Sequence, residues 1–331
     1  MKISVLGAGG WGTTLAILLH YNGHNVTLWE YRKSYAKQLN KKRINPDYLP
    51  GIKIPKEIVI TPDISNATHD KNLIVLAIPS QFLRGVIKHV SYPEIKNSIL
   101  VSVAKGIEKD SLLTMSQMLM EVHPNLNYEQ IGVLSGPSHA EEVARRIPTT
   151  VTAASESLDT ARSIQAAFMN SYLRVYTSTD ILGVELGGAF KNVIAIGAGI
   201  IDGAGFGDNT KAAIMTRGVA EISRLGLAMG ARPETFAGLS GMGDLIVTCM
   251  SRHSRNRFVG EQIGKGKKLK QVLKSMDMIA EGVETSRSAS QLAKKHKVET
   301  PITNEVYKIL FEDKDPVKAT TDLMTRDMKS E

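Results

Sequence analysis

The chain has 331 residues, 42% hydrophobic and 22% charged, with a formal charge of +8. That length holds about two domains, each large enough to bury its own core, and the composition is ordinary for a soluble globular protein. The positive charge admits nucleic acid, anionic lipid or an acidic small substrate, and only the placement of the cations chooses among them. Cys249 is the single cysteine, so an intrachain disulfide is excluded and a reducing compartment is the simpler expectation. The thiol itself reads as a small buried hydrophobe.

At the N-terminus an apolar run over residues 3–6 leads into Gly7-Ala8-Gly9-Gly10-Trp11-Gly12, and residues 13–19 then read as an apolar-rich helix. This is strand, glycine turn, helix. The spacing Gly7-x-Gly9-x-x-Gly12 permits a tight turn at Gly7, backbone approach to a pyrophosphate at Gly9, and close packing of helix on strand at Gly12. The helix start would face the phosphates with its unpaired N–H groups and the positive end of its dipole. Gly9-Gly10 would break the central helix of a signal peptide. No unbroken apolar stretch approaches the ~20 residues of a membrane span, since residues 193–201 run into Asp202. The expectation is a soluble, cytoplasmic protein without membrane insertion.

Residues 24–29 alternate enough to form a second strand, with Glu30 just past its end. A carboxylate there binds an adenosine ribose. Arg32 and Lys33 follow directly, and a cation at this place suits the extra phosphate of NADP, so both NAD and NADP stay open.

Further short β-rich runs fall at 58–60, 73–78, 99–103, 131–134, 149–153 and 172–176, with helical stretches at 81–90, 112–122, 138–146 and 158–169. Such alternation predicts an α/β fold, a doubly wound, mostly parallel sheet covered on both faces. Ligands then bind beyond the carboxyl ends of the strands. That rule draws attention to Pro79-Ser80, Ala104-Lys105-Gly106 and Ser135-Gly136-Pro137-Ser138. From residue 181 onward the pattern is helical, so the division expected is a Rossmann domain over 1–185 and an all-helical substrate-binding domain over 186–331. No linker composition marks the junction, which predicts a continuous helix or a tight turn there.

Four constellations carry candidate chemistry. Lys105 stands at a strand end. In Glu185-Leu-Gly-Gly-Ala-Phe-Lys191-Asn192, helical side chains lean toward the N-terminus, so the glycines at 187 and 188 would leave room beside the Lys191 amine. Gly238-Leu-Ser-Gly-Met-Gly-Asp244 reads as a turn opening a helix, with Asp244 in its first turn, where the dipole favours a carboxylate. Ser251-Arg-His-Ser254-Arg255-Asn256-Arg257 combines a helix start with hydroxyl, amide and guanidinium groups, the ingredients of a phosphate site. Residues 251–275 hold eight Lys or Arg against Glu261 alone, much of it readable as a solvated basic face. The scattered histidines and lone cysteine predict no metal site. The basic run lacks interleaved aromatics beyond Phe258, which argues against a nucleic-acid partner.

The order of these pieces resembles the NAD(P)-dependent glycerol-3-phosphate dehydrogenases, bacterial type, over nearly the whole chain. The glycine fingerprint is shared by many dehydrogenases, whereas the lysine helix followed by the Gly-Asp and Ser-Arg-Asn turns is far more specific. The resemblance implies reversible reduction of dihydroxyacetone phosphate to sn-glycerol 3-phosphate, the precursor of phospholipid backbones, with NAD or NADP as cofactor. It makes Lys191 the proton donor and acceptor, and gives Lys105 contacts to substrate and cofactor together. Gly136, Ser138 and Ala140 would line the substrate site, with Ala140 also meeting the cofactor. Asn192, Asp244, Ser254, Arg255 and Asn256 would close the substrate site. The cofactor would be held by Gly7, Gly9, Gly10, Trp11, Gly12, Glu30, Tyr31 and Arg32, joined by Arg255, Ile279 and Glu281. The acidic Glu30 before Tyr31 departs from what a strongly NADP-selective member would carry.

The chemistry suits the residues on its own terms. Hydride reaching a ketone carbon makes an alkoxide, so a proton donor must stand at that oxygen as charge develops. Anionic substrate and cofactor account for the positive charge. Two other classes are weighed against this: a β-hydroxyacid dehydrogenase, which would leave the phosphate constellation unexplained, and a non-catalytic NAD(P)-binding sensor, which would have no need of Lys191. The expected partner is a small phosphate substrate, and a homodimer is left open.

Overall fold

Eight strands form the expected sheet in the computed structural model, which describes residues 1–276 and 278–328. The strands in chain order are β1 (Lys2–Leu6), β2 (Asn25–Trp29), β3 (Ile44–Asn45), β4 (Leu49–Lys53), β5 (Val59–Thr61), β6 (Leu73–Leu76), β7 (Ile99–Ser102), β8 (Ile131–Ser135), β9 (Thr149–Ala154) and β10 (Leu173–Ser178). The main sheet runs β10-β9-β8-β7-β6-β1-β2-β5. Every pair is parallel except β8 with β9, which is antiparallel. β3 and β4 form a separate antiparallel ribbon that hydrophobic alternation does not reveal.

The sequence of the central strands explains their burial. β1 (KISVL) and β6 (LIVL) are near-continuous apolar runs, as strands covered on both faces must be. Ile3, Val5, Leu73 and Val75 enter one core, and Leu6, Ile74 and Leu76 enter the other across the sheet. β1 sits where strand order reverses: β2 pairs with it on one side and β6 on the other. Its carboxyl end is therefore the topological switch point, where sheets of this kind bind ligands.

By contacts the chain falls into two compact units, Met1–Lys105 with Leu113–Glu185, and Gly106–Leu112 with Leu186–Glu331. The position 185/186 lies inside the continuous helix Ile181–Ala204. This helix has 24 residues and by length and composition could cross a membrane, although no unbroken apolar run marks it. Its most apolar window is wholly buried in protein.

The second unit is helical. Two of its helices, Ile181–Ala204 and Arg255–Gly264, meet backbone to backbone. A Cβ at Gly199 would lie 2.0 Å from Arg257 O, and one at Gly260 would lie 1.9 Å from Ile196 O. Only glycine permits that approach, so it fixes the register of the two helices. Asp202 closes the same pair by accepting from Arg257 Nη1 at 2.7 Å, and it also accepts at 2.8 Å from Lys211 Nζ on the helix Asp208–Ala228. A buried carboxylate also ties down one helix start in each unit. Glu185 accepts from Ser116 N at 2.8 Å at the start of Met115–Val122, and Glu221 accepts from Ile302 N at 2.6 Å at the start of Pro301–Phe311. Burial pushes both carboxyls above their ordinary pKa, against the pull of these hydrogen bonds.

Candidate active site

In the first unit the glycine turn follows β1 directly and the helix begins at Gly10, running to Tyr21. Gly7 has φ +112°, and a Cβ there would stand 2.4 Å from Ala77 O, so the turn is closed against β6. A Cβ at Gly12 would lie 1.9 Å from Gly7 O, and one at Gly10 would lie 2.6 Å from Tyr48 O. At Gly9 an added Cβ would meet nothing within 4 Å. The open side of the turn is thus at Gly9, which precedes the helix without a side-chain cap. The first ladder bond is Thr13 N to Gly9 O at 2.9 Å, so the N–H groups of Gly10, Trp11 and Gly12 come before it. This geometry fits a pyrophosphate, which needs donors, a favourable dipole and no side chain in the way.

The turn is held from outside by a residue that sequence reasoning missed. Asn45, on β3, donates from Nδ2 to Ala8 O at 2.8 Å and to Thr13 Oγ1 at 2.7 Å, and accepts from Tyr35 OH at 2.7 Å. No sequence signal marked it, because its strand β3 has two residues and no alternation. At the end of β2, Glu30 is buried and accepts from Arg32 N at 3.0 Å and Arg32 Nε at 2.9 Å. The guanidinium also lies 4.3 Å from the Tyr35 ring centroid, and the bond to Glu30 pushes its pKa upward. Glu30 and Arg32 therefore face each other as an ion pair, while Tyr31 is exposed. Trp11 packs against the core at its edge.

Beyond β7 and β8 the structure brings Lys105, Gly136 and Ser138 together. Lys105 Nζ donates to Gly136 O at 2.8 Å and to Ser138 Oγ at 3.3 Å. Gly136 has φ +141°, where a Cβ would lie 3.0 Å from Val151 Cα. Ala140 opens the helix Ala140–Ala144, and its carbonyl accepts from Thr14 Oγ1 at 3.2 Å, on the helix that the glycine turn opens.

In the second unit Lys191 is 5% exposed and Asp244 1%. Lys191 Nζ donates to Asp244 Oδ1 at 2.8 Å and to Thr248 Oγ1 at 2.6 Å, and Thr248 Oγ1 lies 3.3 Å from the same carboxylate oxygen. The helix Asp244–Met250 sets this up by the i, i+4 spacing of Asp244 and Thr248 on one face. Thr248 was not singled out from sequence, though that spacing was visible. Contrary to the expectation of room at the glycines, the space beside Gly187 is not open, because a Cβ there would meet Ser240 O at 2.8 Å. The glycine admits the backbone of the π-turn Leu239–Gly243, which delivers Asp244 to the amine.

Ser254 caps the helix Arg255–Gly264, accepting from Arg257 N at 3.1 Å. The two arginines that follow divide. Arg257 donates to Asp202 and to Ser251 O at 3.1 Å and is structural, whereas exposed Arg255 has no hydrogen bond or ion pair among the described residues. Asn192 and Asn256, both expected to meet substrate, direct their side chains at each other, Asn256 Nδ2 donating to Asn192 Oδ1 at 2.8 Å. Ile279 is exposed, and Glu281 precedes the helix Gly282–His296. Cys249 is buried and its thiol is pushed up to about 12 by burial, consistent with an inert hydrophobe. Among the described residues no group of three or more His, Cys, Asp or Glu is placed to hold a metal.

Comparison with known proteins covers both units. Residues 2–161 match the family model for the N-terminus of NAD-dependent glycerol-3-phosphate dehydrogenase, and residues 180–321 match that for its C-terminus. The NAD(P)+ glycerol-3-phosphate dehydrogenase of Chlorobium phaeobacteroides is 52% identical over 331 residues, covering 100% of this chain and 99% of its own. A Salinibacter ruber protein of the same description is 53% identical over 330 residues, covering 100% of this chain and 97% of its own. The crystal structure of glycerol-3-phosphate dehydrogenase from Coxiella burnetii aligns with a TM-score of 0.93 at 35% identity, over 98% of this chain and 99% of that one.

Proposed function

The chain belongs to the NAD-dependent glycerol-3-phosphate dehydrogenase family, and from that membership we propose that it reversibly reduces dihydroxyacetone phosphate to sn-glycerol 3-phosphate, supplying glycerophospholipid synthesis. The observation that carries the reading is the buried Lys191 ammonium held by Asp244 and Thr248, in the same unit as an unpartnered Arg255. A sensor of dinucleotide has no use for the first, and a carboxylate substrate leaves the phosphate-type helix start at Ser254 unexplained.

Bound NAD(P)H supplies the hydride. Gly7 and Gly12 shape the turn, Gly9 leaves it open to the pyrophosphate, and the N–H groups of Gly10, Trp11 and Gly12 donate to it. Glu30 and Arg32 sit where the adenosine ribose is read, so pairing with each other sets them in opposition: the carboxylate favours a 2′-hydroxyl and the guanidinium a 2′-phosphate. Ile279 and Glu281 are assigned to the cofactor, and Lys105, Gly136, Ser138 and Ala140 keep the roles the family resemblance gives them.

Lys191 is the general acid. Lys191 Nζ, held by the Asp244 carboxylate at 2.8 Å, gives the proton in the reduction. As negative charge builds on the substrate oxygen, Lys191 stabilises it and then transfers the proton, and the reverse reaction uses the neutral amine as base. Burial strengthens each of these electrostatic effects. Arg255 and the start of the helix Arg255–Gly264 hold the substrate phosphate; Ser254 Oγ accepts from Arg257 N and keeps its own hydrogen for donation. Anchoring the phosphate positions the carbonyl. The same reading keeps the cytoplasm as the place of action and leaves a homodimer open.

The test is loss of NAD(P)H absorbance on adding dihydroxyacetone phosphate to the full chain, repeated with Arg255→Leu and with dihydroxyacetone. Removing a charge-assisted pair of about 1.5–3 kcal/mol should lower kcat/KM for dihydroxyacetone phosphate by about 10- to 150-fold. Dihydroxyacetone, already poor with the wild type, should be no poorer with the variant. Equal damage to both substrates would assign Arg255 to the fold or the cofactor instead.

A further inference from the structure

Asn256 links three segments of the second unit that the proposed function assigns to different tasks. It stands in the first turn of the helix Arg255–Gly264, next to Arg255. Its Nδ2 donates to Asn192 Oδ1 at 2.8 Å, on the helix of Lys191. Its Oδ1 accepts from the Gly282 N–H at 3.0 Å, one residue after Glu281 and at the start of the helix Gly282–His296. Asn256 is 8% exposed and Asn192 4%. Both ends of the Asn256 amide are thus bound to protein.

We propose that Asn256 is a positioning residue that couples phosphate binding at Ser254–Arg255 to cofactor binding at Ile279–Glu281. The packing around it has no slack. A Cβ on Gly282 would lie 2.7 Å from Asn192 O and 2.8 Å from Asn256 Oδ1, so the helix start is pressed onto the amide bridge. On the other side, glycine contacts between the helices Ile181–Ala204 and Arg255–Gly264 fix the Asn192–Asn256 register. A shift of the Ser254 turn must break a buried hydrogen bond or carry the Gly282 start with it. A ligand that orders one segment therefore orders the other, and the second ligand finds its segment already in place. This rests on the proposed assignment of the two segments to phosphate and cofactor.

The experiment is a fluorescence titration of the full chain with NADH, alone and with saturating sn-glycerol 3-phosphate, a pair that cannot turn over. In the wild type, glycerol 3-phosphate should tighten NADH by about fivefold or more, and NADH should tighten glycerol 3-phosphate by the same factor. Asn256→Ala should bring that factor below about twofold while NADH still binds alone. Gly282→Ala should do the same from the opposite side with the Asn256 amide present. Asn256→Asp, which keeps the size and the acceptor for the Gly282 N–H, should retain more of the coupling than Asn256→Ala, even though its charge weakens phosphate binding. If Asn256→Ala does not fold, the Gly282→Ala and Asn256→Asp factors decide. No coupling in the wild type, or equal coupling in the wild type, Asn256→Ala and Gly282→Ala, overturns the proposal. Turnover of dihydroxyacetone phosphate by the wild type separates the two failures: turnover with unchanged coupling removes only the link, and absence of turnover removes the functional reading itself.

Discussion

In the first unit the candidate site is shaped by missing side chains, and in the second by buried ones. The glycine turn takes its shape because Gly7 and Gly12 let backbone approach backbone and Gly9 leaves open space. The lysine cluster works because Lys191, Asp244 and Thr248 are packed at 6% or less exposure with their polar atoms satisfied by one another. The contrast teaches that the two halves should fail differently. Backbone sites fail when atoms are added, and buried charge sites fail when one partner is taken away.

The largest effect should follow from removing a partner in the second unit. Asp244→Leu strands the Lys191 ammonium, and breaking a buried pair from one side costs about 3–5 kcal/mol. Lys191→Met combined with Asp244→Leu should recover most of that loss, because no uncompensated charge remains. Urea midpoints for the single and double variants measure it, and equal destabilisation in both would show that the pair is not the source.

Next in size is the addition of atoms in the first unit. Gly12→Ala must displace the Gly7 carbonyl, and overpacking of this kind costs about 1–3 kcal/mol. Gly9→Ala meets no protein atom and has φ −70°, so its thermal midpoint should stay at the wild-type value. Its NADH affinity should nevertheless fall by about tenfold or more, equivalent to ~1.4 kcal/mol. A Gly9→Ala protein that binds NADH normally would mean that the open side of the turn is not where the pyrophosphate goes.

The smallest effect concerns Glu185. Burial raises its folded pKa above the ordinary 4.5, so the folded protein holds this proton more tightly than the unfolded chain. Its share of stability is then fullest at pH near or below that ordinary value and declines as pH rises through the folded pKa. Glu185→Gln does not titrate, so its stability relative to the wild type should improve between pH 5 and pH 8. Denaturation at the two pH values checks the sign, and a relative loss at pH 8 would mean that the bonds from Ser116 outweigh desolvation.

This difference between the units also decided what could be read in advance. Glycines recur at fixed spacing because backbone geometry demands them, so the turn, the strand alternation and the onset of the helical half were legible. Side chains that meet across helices carry no such spacing. Lys191 and Asp244 could be named, but not that the π-turn Leu239–Gly243 fills the space beside Gly187 to join them. Asn45 was invisible because β3 has two residues and no alternation. Arg255 and Arg257 were both guanidinium groups at one helix start, and the contacts of Arg257 to Asp202, Ser251 O and Glu261 separate them.

In the proposed mechanism Lys191 supplies the proton to the substrate oxygen and takes no part in holding the dinucleotide. This role is tested most directly by turnover of dihydroxyacetone phosphate and NADH titration on Lys191→Met beside the wild type. The account predicts a fall in kcat of about 10²- to 10⁴-fold with NADH affinity nearly unchanged. A variant that keeps more than about a tenth of wild-type kcat would contradict it.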